Sequence, residues 1–63
     1  MKIKELEKKL KESGCWLIGH GKRHDHWYSP ITNRSFPIPR HGSKEMPLGT
    51  LKETQKQSGV IFN

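Results

Sequence analysis

The chain contains a single cysteine, Cys15, so no internal disulfide can staple it, and a secreted disulfide-framework miniprotein is excluded. Acidic residues are scarce: six Asp and Glu against twelve Lys and Arg leave a formal net charge of +6 on 63 residues. That imbalance disfavours a small neutral substrate and favours a polyanionic partner, nucleic acid or an acidic protein. No apolar run approaches the ~20 residues of a membrane-spanning helix, and no signal-peptide apolar region opens the chain. The compartment expected on these grounds is the cytoplasm, which is reducing, with no membrane partner. Repeats and low-complexity blocks are also missing, so residues 1–63 read as one continuous domain. A chain this short buries only about 60% of the surface that its unfolded form exposes, which makes its stability marginal. Hydrophobic residues make up 30%, yet two Trp, two Phe and one Tyr are enough to seed a small core.

Periodicity orders what is present. Ile3, Leu6 and Leu10 recur at three- and four-residue steps among Lys and Glu, predicting an amphipathic helix from Lys2 to Ser13 with Gly14 at its C-terminal cap. Cys15-Trp16-Leu17-Ile18 is a short apolar run between glycines and predicts a strand, with Cys15 a small buried hydrophobe and Trp16 in the core. Gly19 to Arg23 is glycine-punctuated and basic, hence a loop. His24 to Tyr28 alternate as a second strand, and Ser29-Pro30-Ile31-Thr32-Asn33 carries the residues of a hairpin connection. Arg34 to Arg40 predict a third strand. Pro37 and Pro39 lack N–H groups on the same side of it; that side cannot pair, so the strand belongs at a sheet edge. Pro47 suits the first turn of a second helix ending at Ser58 before Gly59, although Thr54 and Gln55 interrupt its apolar face. The sum is an α+β chain of order α-β-β-β-α, a three-stranded antiparallel sheet with two helices on one face and the other face open.

All four histidines, His20, His24, His26 and His41, fall within 22 positions, and Lys22, Arg23, Arg34, Arg40 and Lys44 lie among or just beyond them. Alternation puts His24, His26 and Tyr28 on the open face, with Trp27 joining Phe36 and Ile38 against the helices. Imidazole titrates near pH 6.5. It can therefore take the proton of an RNA 2′-hydroxyl or give one to the leaving 5′-oxygen, while guanidinium and ammonium groups stabilise the phosphate charge. RNA carries its own nucleophile, so this chemistry needs no metal. The same residues could instead bind phosphate without chemistry. Zinc is a further alternative, with His20, His24, His26 and Cys15 as conceivable ligands; their spacing matches no closed site, and the cationic surround repels a dication. Tyr28, on the open face, is the residue placed to stack a base.

Gly21-Lys22-Arg23-His24-Asp25-His26-Trp27, the turn Pro30-Ile31-Thr32-Asn33, the run Phe36-Pro37-Ile38-Pro39-Arg40-His41 and the segment Pro47-Leu48-Gly49-Thr50-Leu51-Lys52 together resemble the HicA (YcfA-like) toxins. The resemblance runs from about Lys2 to Val60. It implies a fold like that of double-stranded-RNA-binding domains, and a toxin of a type II toxin–antitoxin system. It further implies a metal-independent endoribonuclease (an mRNA interferase) that needs no cofactor, cleaves mRNA and is inhibited by a HicB-type antitoxin. The family's catalytic histidine falls on His24 as general acid/base. Lys22, Arg23, Arg40 and Lys44 are then expected at phosphates, with His26, Tyr28 and His41 as further RNA contacts. Two departures from the family pattern stand out: Lys22-Arg23 replaces a small residue before the histidine, and Thr54 and Gln55 replace aliphatic residues of the last helix. A non-catalytic RNA-binding module of similar fold, and a domain for protein–protein assembly, are the rival readings.

Overall fold

A computed structural model describes residues 1–40 and 44–62 and has the expected element order: α1 (Ile3–Glu12), β1 (Trp16–His20), β2 (His24–Ser29), β3 (Arg34–Pro39) and α2 (Leu48–Ser58). Helix α1 buries the stripe of Ile3, Leu6 and Leu10. It stops because Gly14 takes a left-handed φ of 93°, which lets the Gly14 and Cys15 amides turn back onto the carbonyls of Lys11 and Leu10. Both ends of that reversal, Leu10 and Cys15, are buried, so the cap is closed by an apolar contact as well as by hydrogen bonds.

The three strands form one antiparallel sheet in the order β1-β2-β3. Period-two alternation sends Trp27, Phe36 and Ile38 to the helical side, where they join the α1 stripe, Cys15, Met46, Val60 and Phe62 in one apolar cluster. Pro37 and Pro39 pair with His26 and His24 from the edge strand, as the position of the prolines requires.

Two expectations fail in β1. Gly19 and His20 are strand residues rather than loop: the register shifts between Leu17 and Gly19, which leaves Ile18 as a bulge and lets Gly19 meet His26 and His20 meet Asp25. Trp16 is not in the core. It pairs with Tyr28 and so stands on the open face, 48% exposed, while Cys15 just before the strand takes the inward place. An apolar run reads alike whichever of its members points inward.

Helix α2 sets half-buried Leu51 against the core and otherwise docks through polar groups. Thr54 and Ser58 are its buried residues, and their hydroxyls donate to the carbonyls one turn earlier, Thr50 and Thr54. From the end of β2 the Ser29 hydroxyl donates to the Ser58 carbonyl, and from the following turn the Thr32 hydroxyl donates to the Gln57 carbonyl. These carbonyls belong to the last turn of α2 and have no partner within the helix. Gln55 accepts the Phe62 amide through its side-chain oxygen at 2.8 Å, pinning the C-terminal segment. The poor apolar face of α2 is thus offset by hydrogen bonds at its C-terminal end, where Gly59 closes it with φ 75°.

Ser29→Ala should therefore leave the Ser58 carbonyl buried without its donor. The expected loss is about 1–3 kcal/mol, seen as a lower midpoint in thermal unfolding. Lys52→Ala, on the exposed side of α2, should stay within about 0.5 kcal/mol of the parent.

Candidate functional site

The site is built on the open side of β2. With Trp27 buried, the alternate residues His24 and His26 are exposed on the opposite face, beside their cross-strand partners Pro39 and Pro37. The short loop Gly21–Arg23 then folds beside them. The Gly21 amide donates to the His24 carbonyl at 2.7 Å, closing the β1–β2 hairpin tightly. A Cβ at Gly21 would stand 3.0 Å from both the His24 carbonyl oxygen and His26 Nε2, so a bare backbone lets the loop lie this close.

Two adjoining clefts open on this end of the sheet. One, about 530 Å³, is lined by Gly21, Lys22, Arg23, His24, His26 and Pro37; the other, about 580 Å³, by Lys22, Arg23, His24, Pro39 and Arg40. Lys22, Arg23 and His24 are common to both. An imidazole and two flexible cations therefore border the same space, an arrangement suited to holding a phosphodiester and moving a proton at it.

On the opposite side of the sheet, Asp25 gathers a polar network. Its Oδ1 lies 2.7 Å from His20 Nδ1 and accepts from Arg40 Nε at 2.9 Å, while Arg40 Nη2 donates to the Gly21 carbonyl. The network joins the ends of β1, β2 and β3 and clamps the loop that carries Lys22 and Arg23. The hydrogen bond with His20 is the chief cause holding the Asp25 carboxyl below the ordinary carboxylate range; partial desolvation opposes it and Arg40 adds to the lowering. Across the interface with α1, Glu7 is pushed up, first by desolvation and then by the Asp25 charge.

The expected residues separate into groups. Lys22, Arg23, His24 and His26 come together with Arg40, whose Nε and Nη2 are directed to Asp25 and Gly21 rather than outward. Tyr28 stands further along the same face, its hydroxyl donating to Asn33 Oδ1 at 3.2 Å. Lys44 is exposed but borders neither cleft; its carbonyl accepts the Ile3 amide at 3.0 Å beside α1. His41 lies outside the described residues. Among the described residues no three His, Cys, Asp or Glu side chains are grouped to hold a metal ion, and Cys15 is in the core. Sequence reasoning missed Asp25 as the centre of a network. The available signal was an acid facing the helical side in a stretch otherwise rich in cations.

The fold and the site define a class: a small cationic α-β-β-β-α protein that displays a histidine between basic side chains on the uncovered face of its sheet. The family model of the HicA toxin of bacterial toxin–antitoxin systems matches residues 3–60, and the chain belongs to that family. Membership implies an antitoxin as partner. No curated protein and no solved structure matches the chain. No helix among the described residues is long and apolar enough to cross a membrane.

Asp25 binds its proton less readily in the folded chain than in the unfolded one. Its contribution to stability is therefore present above the ordinary carboxylate range and is lost as pH falls through the depressed folded value. Asp25→Asn should be less stable than the parent at pH 7, and the gap between the two should close from about pH 5 downward. Urea midpoints measured across that range check this; a gap that is constant with pH would remove the ion pair as its cause.

Proposed function

We propose that the chain is a metal-independent endoribonuclease that cleaves mRNA in the cytoplasm, with His24 as general acid/base, and that a HicB-type antitoxin silences it. The observation that carries this reading is the exposed His24 imidazole bordered by Lys22 and Arg23 in both clefts. With a phosphodiester in that space, His24 takes the proton of the 2′-hydroxyl or delivers one to the departing 5′-oxygen. Lys22 and Arg23 offset the charge that develops on the phosphate. Arg40 serves first to hold the Gly21 carbonyl and Asp25, and so to fix the loop bearing those cations; its contact with phosphate is secondary. His26, two residues along the same face, adds a polar contact to the strand of RNA.

Inhibition follows from exposure. The clefts lie on an uncovered sheet face, so a partner presenting acidic and apolar groups can occlude His24 directly. Membership of a toxin–antitoxin family supports such a partner.

In EDTA, the protein should cleave a labelled single-stranded RNA, and His24→Ala should lower the rate by ~10²–10⁴ while keeping its circular dichroism and most of its RNA affinity. Salt-sensitive binding without cleavage by the parent protein would assign it to non-catalytic RNA binding instead.

Lys22→Gln and Arg23→Gln should each weaken binding alike for all sequences. Each should also flatten the plot of log affinity against log salt by ~0.7 per lost phosphate contact. A loss confined to particular sequences would show that the side chain reads a base.

A further inference from the structure

The open face carries one more built feature, away from the histidine clefts. Trp16 near the start of β1 and Tyr28 near the end of β2 are register partners, so both rings stand on the face that bears His24 and His26. Their centroids are 5.0 Å apart with the planes inclined at 42°. Tyr28 is half-buried and its hydroxyl is tied to Asn33, so the lower ring is oriented, and Trp16 is left 48% exposed. The core does not call on this pair, because Cys15 and Trp27 fill the corresponding places on the helical side. A large aromatic surface that is held in place and left wet is available to a ligand.

Charge and direction identify the ligand. The strand residues facing this side are Trp16, Gly19, His24, His26, Tyr28, Ser35, Pro37 and Pro39, none of them acidic, and Lys22 and Arg23 overhang one end. A polyanion whose phosphates meet that basic end would run along β2 towards the rings. Tyr28 is four residues from His24, about 14 Å at ~3.4 Å per residue, a span of a few nucleotides of extended single strand. We propose that Trp16 and Tyr28 form a stacking platform for a nucleobase of single-stranded RNA, displaced along the strand from the bond held at His24. This rests on the reading of the His24 site as an RNA site and deepens it: the enzyme grips a stretch of unpaired RNA rather than a lone phosphodiester. Stacking uses the π-face that every base has, so the platform adds affinity with little choice of sequence.

The test titrates the full chain with a 2′-O-methyl octaribonucleotide, which lacks the nucleophile for cleavage, and follows tryptophan emission. Trp27 is buried, so quenching reports Trp16. Quenching on binding is expected. Trp16→Leu and Tyr28→Leu should weaken binding by ~5- to 100-fold, and Trp16→Phe, which keeps a ring, should retain most of the affinity. Inorganic polyphosphate, which has charge and no bases, should bind the parent and Trp16→Leu equally. RNA affinity of Trp16→Leu within about twofold of the parent overturns the platform; the His24 reading survives if RNA is still cleaved. An equal loss of polyphosphate binding also overturns it, because the ring would then be supporting the fold. Quenching and base-dependent binding by a parent protein that cleaves no RNA would uphold the platform and overturn the catalytic reading. Loss of antitoxin binding with RNA affinity unchanged would reassign the rings to the protein interface.

Discussion

Burial of Trp27 is the constraint on which the rest of the structure depends. The indole is 1% exposed and meets Phe36, Ile38 and the α1 stripe on the helical side of the sheet. Side chains along a strand alternate, so a slip of one residue in β2 would turn His24, His26 and Tyr28 under the helices and bring Asp25 to the open face. Trp27 opposes that slip by area alone, since its Nε1 has no hydrogen-bond partner among the described residues. An unpaired buried donor costs roughly 1–3 kcal/mol, which the apolar contact of the largest core side chain must exceed. The set of side chains displayed on one face is thus registered by packing on the other.

The two helices meet the sheet by different physics. Helix α1 lies on it through an aliphatic stripe, a contact that tolerates small shifts along its length. Helix α2 ends against the end of β2 and the turn that follows it, through the hydroxyls of Ser29 and Thr32, which fix both position and direction. In a chain this short, the directional contact supplies specificity that a larger apolar interface would supply elsewhere. It also ties the end of the central strand, next to Tyr28, to the body of the protein, so the far end of the open face is anchored independently of the clamp around Asp25.

Much of this was legible in the sequence, for reasons that can be stated residue by residue. Ile3, Leu6 and Leu10 announce α1 because helical spacing leaves one apolar stripe. The alternation of His24 to Tyr28 announces both faces of β2, and Pro37 with Pro39 announces the edge. What was not legible depends on partners distant in sequence. Trp16 sits in a run that is apolar at every position, so only its pairing with Tyr28 reveals its side, and the bulge at Ile18 that carries β1 on to His20 leaves no mark in composition. The Asp25 network joins residues from three strand ends, and the polar docking of α2 depends on a turn about 25 residues upstream.

The prolines of β3 have a consequence for assembly. Sheets grow by adding strands to an edge that offers both donors and acceptors, and on the outer side of β3 the donors at positions 37 and 39 are missing. Growth from that side is blocked, and only the β1 side can be extended, where the bulge at Ile18 breaks the row of donors and acceptors. Two imino acids on one edge and one extra residue on the other thus leave neither side of the sheet a regular row for another strand to pair with.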